Sequence, residues 1–178
     1  MISLQELWQS KGYSYYPTDK GLQHSYLDAY TELFEEFQDE KINLIEIGIY
    51  LGGSIRLFED WFTRATIRGY DVTLERLRVK PKRSEMIIKN CNDFSEDEFK
   101  EFPPHIIIDD GSHLLEDQLR TVEICYPQLE PGGMLIIEDI ADIQNQKKEF
   151  DKLGIPYELR DLRLQKQRWD DVLLIFHK

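Results

Sequence analysis

The sequence predicts an α/β fold, with a doubly wound, seven-stranded, mostly parallel sheet that ends in a C-terminal antiparallel hairpin. Short apolar runs alternate with helical patterns through the first five strands, as in parallel sheets with crossover helices. Two runs, IIIDDGSH (residues 106–113) and MLIIEDI (residues 134–140), end abruptly in paired acids, as buried strands do when they open onto a ligand crevice. The last two runs are separated by polar residues, which predicts the hairpin. This arrangement is Rossmann-like.

Apolar periodicity and turn residues set the expected element boundaries. The expected strands are NLIEIGIY (43–50), ATIRGYDV (65–72), SEMIIKNCND (84–93), HIIIDD (105–110), MLIIEDI (134–140), YELRDLRL (157–164) and DVLLIFHK (171–178). Helices are expected over residues 24–37, 55–62, 94–102, 114–129 and 144–154. We expect a single domain over residues 1–178, with residues 1–40 as an N-terminal helical arm that contributes to the functional site.

The chain is strongly acidic, with a formal net charge of −12 and a pI near 4.8. Because such a protein repels phosphate backbones, we expect no nucleic-acid partner. The basic cluster RLRVKPKR (residues 76–83) is interpreted as a solvated loop after the second strand. The alternative is a local anchor for a phosphate or carboxylate of a small substrate.

The N-terminal residues have neither the basic start nor the apolar run of a signal peptide. All apolar stretches fall short of the ~20 residues that cross a membrane. We therefore expect a cytoplasmic protein with no membrane partner. A homo-oligomer is compatible with the sequence.

Four acids and one histidine should meet at one edge of the sheet: Asp109, Asp110, Glu138, Asp139 and His113. Neighbouring strands lie about 4.8 Å apart, so at least one acid from each strand should converge. Converging carboxylates repel unless a cation or a proton lies between them, and a hard divalent ion meets that need. The alternative for Asp109 and Asp110 is a strand end whose acids accept backbone N–H groups. A non-heme iron centre is disfavoured because it would need two histidines with one carboxylate.

The segment EIGIYLGG (residues 46–53) follows the first strand and opens a helix. Glycines there let a ligand approach the backbone, and the helix N-terminus offers free N–H groups. An acid that ends the second strand, here Asp71, can bind a pair of ribose hydroxyls. Both features fit NAD as well as S-adenosylmethionine. NAD is disfavoured because Tyr50 stands where the G-x-G-x-x-G fingerprint needs its second glycine.

Four stretches resemble a known family: TDKGLQHSY (18–26), EIGIYLGGS (46–54), IIIDDGSH (106–113) and PGGMLIIEDI (131–140). Together they are similar to class I S-adenosylmethionine-dependent methyltransferases. More narrowly, the chain resembles the metal-dependent sugar O-methyltransferases of macrolide biosynthesis. The stretches span most of the chain in the family's order, and the last two are distinctive in combination.

The resemblance implies a role for each of a set of residues. The cofactor set comprises Glu46, Gly48 and Gly52 around the pocket, Asp71 at the ribose, Thr18, Asp19 and Lys20 at the methionine end, and Asn90 and Asp93 at the adenine or its ribose. Asp109 is assigned to the same set. The metal set comprises Asp110, Glu138 and Asp139 as Mg²⁺ ligands. His113 matches the proposed general base, and His24 is a second candidate for that role.

The sequence departs from the family in two places. Larger members have an additional N-terminal domain, which we do not expect in this chain. The segment after Glu138 and Asp139 is short, so the usual substrate-covering insertion is reduced or missing. Both departures concern the substrate more than the reaction.

The expected function is S-adenosylmethionine-dependent, Mg²⁺-assisted O-methylation of a hydroxyl on a small molecule, such as a sugar or another vicinal diol. A bound divalent ion would make the hydroxyl more acidic, and His113 would remove its proton. Two alternatives stay open at this point. One is a non-catalytic S-adenosylmethionine-binding or assembly module, suggested by the reduced covering segment. The other is an NAD-linked oxidoreductase.

Overall fold

The computed structural model describes residues 2–178 and has one seven-stranded sheet at its centre. The strands are β1 (Asn43–Ile47), β2 (Thr66–Asp71), β3 (Glu85–Ile88), β4 (Ile106–Asp109), β5 (Met134–Ile137), β6 (Glu158–Asp161) and β7 (Val172–His177). Their order is β3-β2-β1-β4-β5-β7-β6. The sheet is parallel from β3 to β5, and β7 runs antiparallel to β5 and β6. The predicted fold class is therefore confirmed, including its C-terminal hairpin.

Seven helices surround the sheet: α1 (Leu4–Lys11), α2 (Tyr26–Phe34), α3 (Gly53–Trp61), α4 (Asp97–Lys100), α5 (Leu115–Cys125), α6 (Ile143–Asp151) and α7 (Arg163–Lys166). A capping box begins α1: Ser3 Oγ accepts the Glu6 N–H, and the Glu6 carboxylate accepts the Ser3 N–H. The helix predicted over residues 24–37 divides into α2 and a 3₁₀ turn over Glu35–Phe37. Both lie in the N-terminal arm.

Hydrophobic residues fill both faces of the sheet. On one face, aromatic side chains of α2 and α3, including Tyr30, Phe34 and Phe58, stack within one buried cluster. On the other face, Val122 of α5 and Phe150 of α6 cover β4, β5 and β7. Because both faces are covered, the central strands β4 and β5 are apolar apart from the acid that ends β4, as their sequences indicate.

The strand order reverses between β1 and β4, and this reversal positions the site. The chain runs outward from β1 through β2 to β3 and then returns to β4 on the other side of β1. Register aligns the strand ends, because Ile47 lies beside Asp109 and Asp109 lies beside Ile137. The residues that follow these three positions therefore emerge at one edge. In open α/β sheets this edge is where ligands bind.

A loop over residues 72–84 connects β2 to β3, as predicted for the segment that contains the basic cluster. The carboxylate of Glu59 on α3 accepts the backbone N–H groups of Lys82, Arg83 and Ser84 at 2.7–2.8 Å. Arg83 also donates to three backbone carbonyl oxygens, those of Glu59, Phe62 and Ala65. Lys82 and Arg83, the last two residues of the basic cluster, therefore fix the loop to α3 and its neighbours. Of the helix predicted over residues 94–102, only the four residues of α4 are helical.

The helices found in residues 2–178 are all too short or too polar to cross a membrane.

Candidate active site

A cavity of about 500 Å³ opens at the edge of the sheet where β1 and β4 end. Loops after β1, β2, β3 and β4 form its walls, and the N-terminal arm closes one side. The predicted site residues that line it are Thr18, Asp19, Gly48, Asp71, Asn90, Asp110 and His113. Its volume lies within the roughly 300–1,000 Å³ range of small-molecule sites. The arm therefore contributes to the pocket.

The glycine turn after β1 depends on two close backbone approaches. Gly48 has φ +90°, and a Cβ there would lie 1.9 Å from the backbone oxygen of Asp110. Gly52 has φ +82°, and a Cβ there would lie 2.4 Å from the backbone oxygen of Val79. Both positions combine left-handed backbone with crowding, so only glycine fits. Gly48 brings the β1 and β4 loops together, whereas Gly52 faces the 72–84 loop.

Asp71 braces the same turn. Its Oδ2 accepts the N–H groups of Ile49 and Tyr50 at 2.8 and 3.0 Å, and its Oδ1 accepts the Thr73 N–H at 3.1 Å. Tyr50 itself has φ +47° and an exposed ring. The Asp71 carboxylate thus lines the cavity and also holds the loop that would face a ribose.

Lys20 lies in the middle of the acid cluster rather than on the cavity wall. Its side chain is fully buried, with Nζ 2.5 Å from Asp110 Oδ2, 2.6 Å from Glu138 Oε1 and 3.5 Å from Glu46 Oε1. Tyr30 donates its hydroxyl to the same Glu138 oxygen at 2.5 Å. An ammonium group of the chain itself therefore lies between two of the converging acids, and the divalent ion stays a prediction.

Burial and charge compete in this cluster. Burial alone would lower the pKa of Lys20, yet the carboxylates of Asp110, Glu138 and Glu46 hold that pKa well above its usual value. Burial raises the pKa of Glu46 to about 7 despite Lys20 and the hydroxyl of Ser54, which donates to Glu46 Oε2 at 2.8 Å. Burial likewise raises the pKa of Asp110 and of Glu138. The cluster therefore keeps the Lys20 ammonium charged, whereas burial opposes the charge of its acids.

Asp139 is held by the aromatic residues of the N-terminal arm. It has φ +58°, and its Oδ1 accepts the hydroxyl of Tyr26 at 2.6 Å. His24 is buried and stacked on Tyr26, and its Nδ1 lies 3.5 Å from the same Asp139 oxygen and 3.4 Å from Asp171 Oδ1. The other oxygen of Asp139, Oδ2, is directed toward His113.

His113 lies between the two strand-end acids. Its Nδ1 is 3.6 Å from Asp139 Oδ2, and its Nε2 is 4.0 Å from Asp110 Oδ1. The backbone has φ +58°, which presents the ring at the cavity wall. Each of the two acids thus directs one oxygen toward a buried partner and the other toward His113.

Two of the three predicted metal ligands fit a divalent ion. One potential ligand atom each from Asp110, His113 and Asp139 lies within 4.8 Å of the other two, a spacing that one ion can bridge. Carboxylate oxygens suit Mg²⁺. Glu138 is placed differently, because its Oε1 already accepts from Lys20 and Tyr30. The role of Glu138 as a metal ligand stays a prediction.

Several predicted residues lie away from the cavity wall: Lys20, Glu46, Gly52, Asp93, Asp109, Glu138 and Asp139. Asp93 is exposed on a 3₁₀ turn over Cys91–Asp93. Asp109 is buried on the opposite side from Asp110, because successive residues at a strand end point to opposite faces. Its Oδ1 accepts the Gly111 N–H at 3.1 Å, which matches the alternative of an acid that caps its strand end.

The two tyrosines that hold the acids were not predicted as site residues. Tyr26 and Tyr30 lie in the helix predicted over residues 24–37, and each donates its hydroxyl to an acid after β5. Their i, i+4 spacing puts both hydroxyls on one face of α2. This spacing, so close to the motif that contains Lys20, was the sequence signal that could have predicted the two tyrosines as site residues.

No family model matches the chain. Among curated proteins, it is 29% identical over 168 residues to demethylmacrocin O-methyltransferase of Streptomyces fradiae, a match that covers 83% of this chain and 42% of that protein. It is 28% identical over 136 residues to mycinamicin VI 2″-O-methyltransferase of Micromonospora griseorubida, covering 71% and 34%. The chain thus spans less than half the length of these relatives.

Among solved structures, the chain is similar to the MycE methyltransferase of the mycinamycin biosynthetic pathway in complex with Mg and SAH, with a TM-score of 0.77 at 24% identity. That match covers 99% of this chain and 55% of the other. An rRNA-methylase-like structure from Clostridium thermocellum matches with a TM-score of 0.63 at 11% identity, covering 87% and 96%. The chain therefore has a methyltransferase fold, and its predicted resemblance to the sugar O-methyltransferases of macrolide biosynthesis is confirmed.

Proposed function

We propose that the protein is an S-adenosylmethionine-dependent O-methyltransferase, assisted by Mg²⁺, that acts on a hydroxyl of a small molecule. A sugar or another vicinal diol is the substrate class we favour. The single observation that carries this proposal is the position of His113, with Asp110 and Asp139 on either side, at the rim of a cofactor-sized cavity. Two relatives whose names specify O-methylation, one of them at the 2″ position, support the same reading.

The cavity suits S-adenosylmethionine better than NAD. Tyr50 occupies the position where a dinucleotide fingerprint needs a glycine, and its left-handed backbone keeps the side chain at the cavity wall. Asp71 and Asn90 would bind the ribose and adenine, whereas Thr18 and Asp19 would face the methionine end. Glu46 does not line the cavity and would act through Ser54, which lines it and donates its hydroxyl to the Glu46 carboxylate.

Asp110 and Asp139 would hold the metal ion through the oxygens that face His113. When bound, Mg²⁺ supplies positive charge that makes a nearby hydroxyl more acidic and fixes its orientation. Glu138 would keep Asp110 in place through their shared contact with Lys20. The residues fit this assignment because the two oxygens that face His113, Asp110 Oδ1 and Asp139 Oδ2, have no nearer partner than His113 among the described contacts.

His113 would act as the general base. S-adenosylmethionine supplies an electrophilic methyl group; as the new C–O bond forms, the C–S bond breaks and S-adenosylhomocysteine leaves. The hydroxyl proton would pass to a ring nitrogen of His113. His113 lies at the cavity wall and its side chain is partly exposed, so the ring would release this proton to solvent after the transfer.

Ligand-dependent unfolding tests the cofactor. We would measure the thermal midpoint with S-adenosylmethionine, S-adenosylhomocysteine or NAD, each with and without Mg²⁺. A ligand at 100 times its dissociation constant stabilises by about 2.7 kcal/mol, which should raise the midpoint by roughly 5–10 °C in a domain of this size. A rise with S-adenosylmethionine and none with NAD is expected. The reverse result would overturn the proposal.

A non-catalytic S-adenosylmethionine-binding module is the second candidate. The contacts of Glu138 favour it, because this acid is already paired with the Lys20 ammonium and accepts the Tyr30 hydroxyl, and a paired acid does not require a metal. Mass spectrometry of reactions with a panel of sugars and polyols separates the two functions. A methylated product supports the enzyme, and cofactor binding without any product across the panel supports the module.

A further inference from the structure

The acid cluster contains a buried cation of its own. Lys20 Nζ contacts carboxylates that follow two different strands, Asp110 after β4 and Glu138 after β5, at 2.5 and 2.6 Å. The side chains of Lys20 and Glu138 are almost fully buried, and that of Asp110 is largely so. These contacts are charge-assisted hydrogen bonds, and little solvent reaches them.

We propose that Lys20 is an internal counter-ion of the acid cluster. Its ammonium holds Asp110 and Glu138 together before a divalent ion binds, and it weakens the affinity of the cluster for such an ion. Lys20 is thus a positioning residue and contacts neither substrate nor reacting atoms. The inference rests on the proposed function only in treating Asp110 as a metal ligand.

The charge balance of the cluster supports this role. The three acids around Nζ, Glu46, Asp110 and Glu138, carry a formal charge of −3, which Lys20 reduces to −2. Like charges at this separation repel strongly where water is excluded, so the acids would move apart or take up protons without the ammonium. With it, Asp110 keeps one oxygen on Lys20 and one toward His113.

The same charge should oppose a second cation. A divalent ion held by Asp110 would share that carboxylate with an ammonium 2.5 Å from its other oxygen. Repulsion between the two cations lowers the affinity for the ion, and low-dielectric surroundings strengthen the effect. The cluster is therefore expected to bind Mg²⁺ weakly by itself and to be well ordered in its absence.

The test compares Lys20→Met with wild type and with Lys166→Met. Methionine keeps the length and the apolar stem of lysine but removes the charge. Lys166 is the matched control, because its Nζ holds the same N-terminal segment through the carbonyl oxygens of Gly21 and His24 without a direct contact with these acids. Thermal midpoints are measured in EDTA and over a titration with MgCl₂ alone.

We expect K20M to have the lower midpoint in EDTA and to regain it as MgCl₂ is added. Its apparent dissociation constant for Mg²⁺ should be at least about tenfold lower than that of wild type. K166M should lose stability but keep the wild-type Mg²⁺ affinity. If K20M binds Mg²⁺ no more tightly than wild type, the counter-ion role is wrong and Lys20 only fills space.

A double variant keeps the inference testable if K20M does not fold in EDTA. K20M combined with Glu138→Gln restores the formal charge of the cluster to −2. The double variant should fold in EDTA with a midpoint above that of K20M, and failure to do so would contradict the inference. Addition of S-adenosylhomocysteine to wild type tests the proposed function separately, because its result does not depend on the Mg²⁺ comparison.

Discussion

The hydroxyl of Tyr26 lies 2.6 Å from Oδ1 of Asp139 and joins the N-terminal arm to the acid that follows β5. The same hydroxyl is 3.1 Å from the backbone oxygen of Asp170 and accepts the Asp139 N–H at 3.3 Å. A residue with φ +58° needs such support, because L-residues rarely adopt that conformation. The arm therefore fixes the direction of an acid at the site.

Tyr26→Phe should lower the free energy of unfolding by about 1.5–3 kcal/mol, since a buried carboxylate loses a charge-assisted hydrogen bond. Chemical denaturation would measure the loss. Tyr126→Phe is the control, because the hydroxyl of Tyr126 donates only to an exposed backbone oxygen, that of His177. Equal losses in the two variants would contradict a special role for Tyr26.

His113→Asn tests the proposed base with little disturbance of the backbone. Asparagine tolerates left-handed φ better than alanine, so the +58° conformation should survive. Turnover is expected to fall by at least about 10²-fold, while the affinity for S-adenosylhomocysteine stays within about twofold of wild type. Single-turnover assays and calorimetry supply the two readouts. Wild-type turnover in this variant would remove His113 from the mechanism.

Gly48→Ala should be strongly destabilising because a Cβ would lie 1.9 Å from the backbone oxygen of Asp110. Gly132→Ala is a matched control: its φ of +80° is similar to the +90° of Gly48, but no heavy atom lies within 4 Å of the added Cβ. The control isolates the cost of left-handed backbone, about 1–2 kcal/mol. Denaturation of both variants should show at least about 2 kcal/mol more loss at Gly48. A similar loss at both sites would show that the loops can separate at little cost.

The sequence was sufficient to predict the sheet and the edge of the sheet at which the site lies. Apolar strand runs and their acidic ends are local signals, and parallel register then brings Asp110 and Asp139 to one edge without further information. The glycine turn could be predicted in the same way, because Gly48 and Gly52 both have the left-handed backbone that favours glycine.

The partners of the acids could not be predicted in the same way. Lys20 reaches Asp110 across 90 residues and Glu138 across 118, and such distant pairs leave no periodic trace in one sequence. The sequence placed Lys20 at the methionine end of the cofactor, but packing of the arm buries it behind the acids. Likewise, the acidic pair at the end of β4 gave no sign of which acid would face the cavity.

Asp109→Asn tests that division of the β4 acids. Burial raises the pKa of Asp109 to about 6 from a usual value near 3.8, so the folded state holds a proton that the unfolded state has released between those pH values. Asp109 should therefore contribute a loss of stability as the pH rises through this window, and the variant should lack that contribution. Relative to wild type, Asp109→Asn should gain up to about 3 kcal/mol between pH 4 and pH 8.

Denaturation at several pH values would measure this gain, with Glu123→Gln, an exposed position on α5, as the control that should show no such change. Asp109→Asn also has a second readout, the affinity for S-adenosylhomocysteine, because Asp109 lies away from the cavity wall while Asp110 lines it. Asp109→Asn should bind S-adenosylhomocysteine as tightly as wild type. A loss of affinity of tenfold or more would show that Asp109 belongs to the cofactor site. Unchanged affinity together with the pH-dependent gain in stability would show that Asp109 is buried beside the site for structural reasons alone.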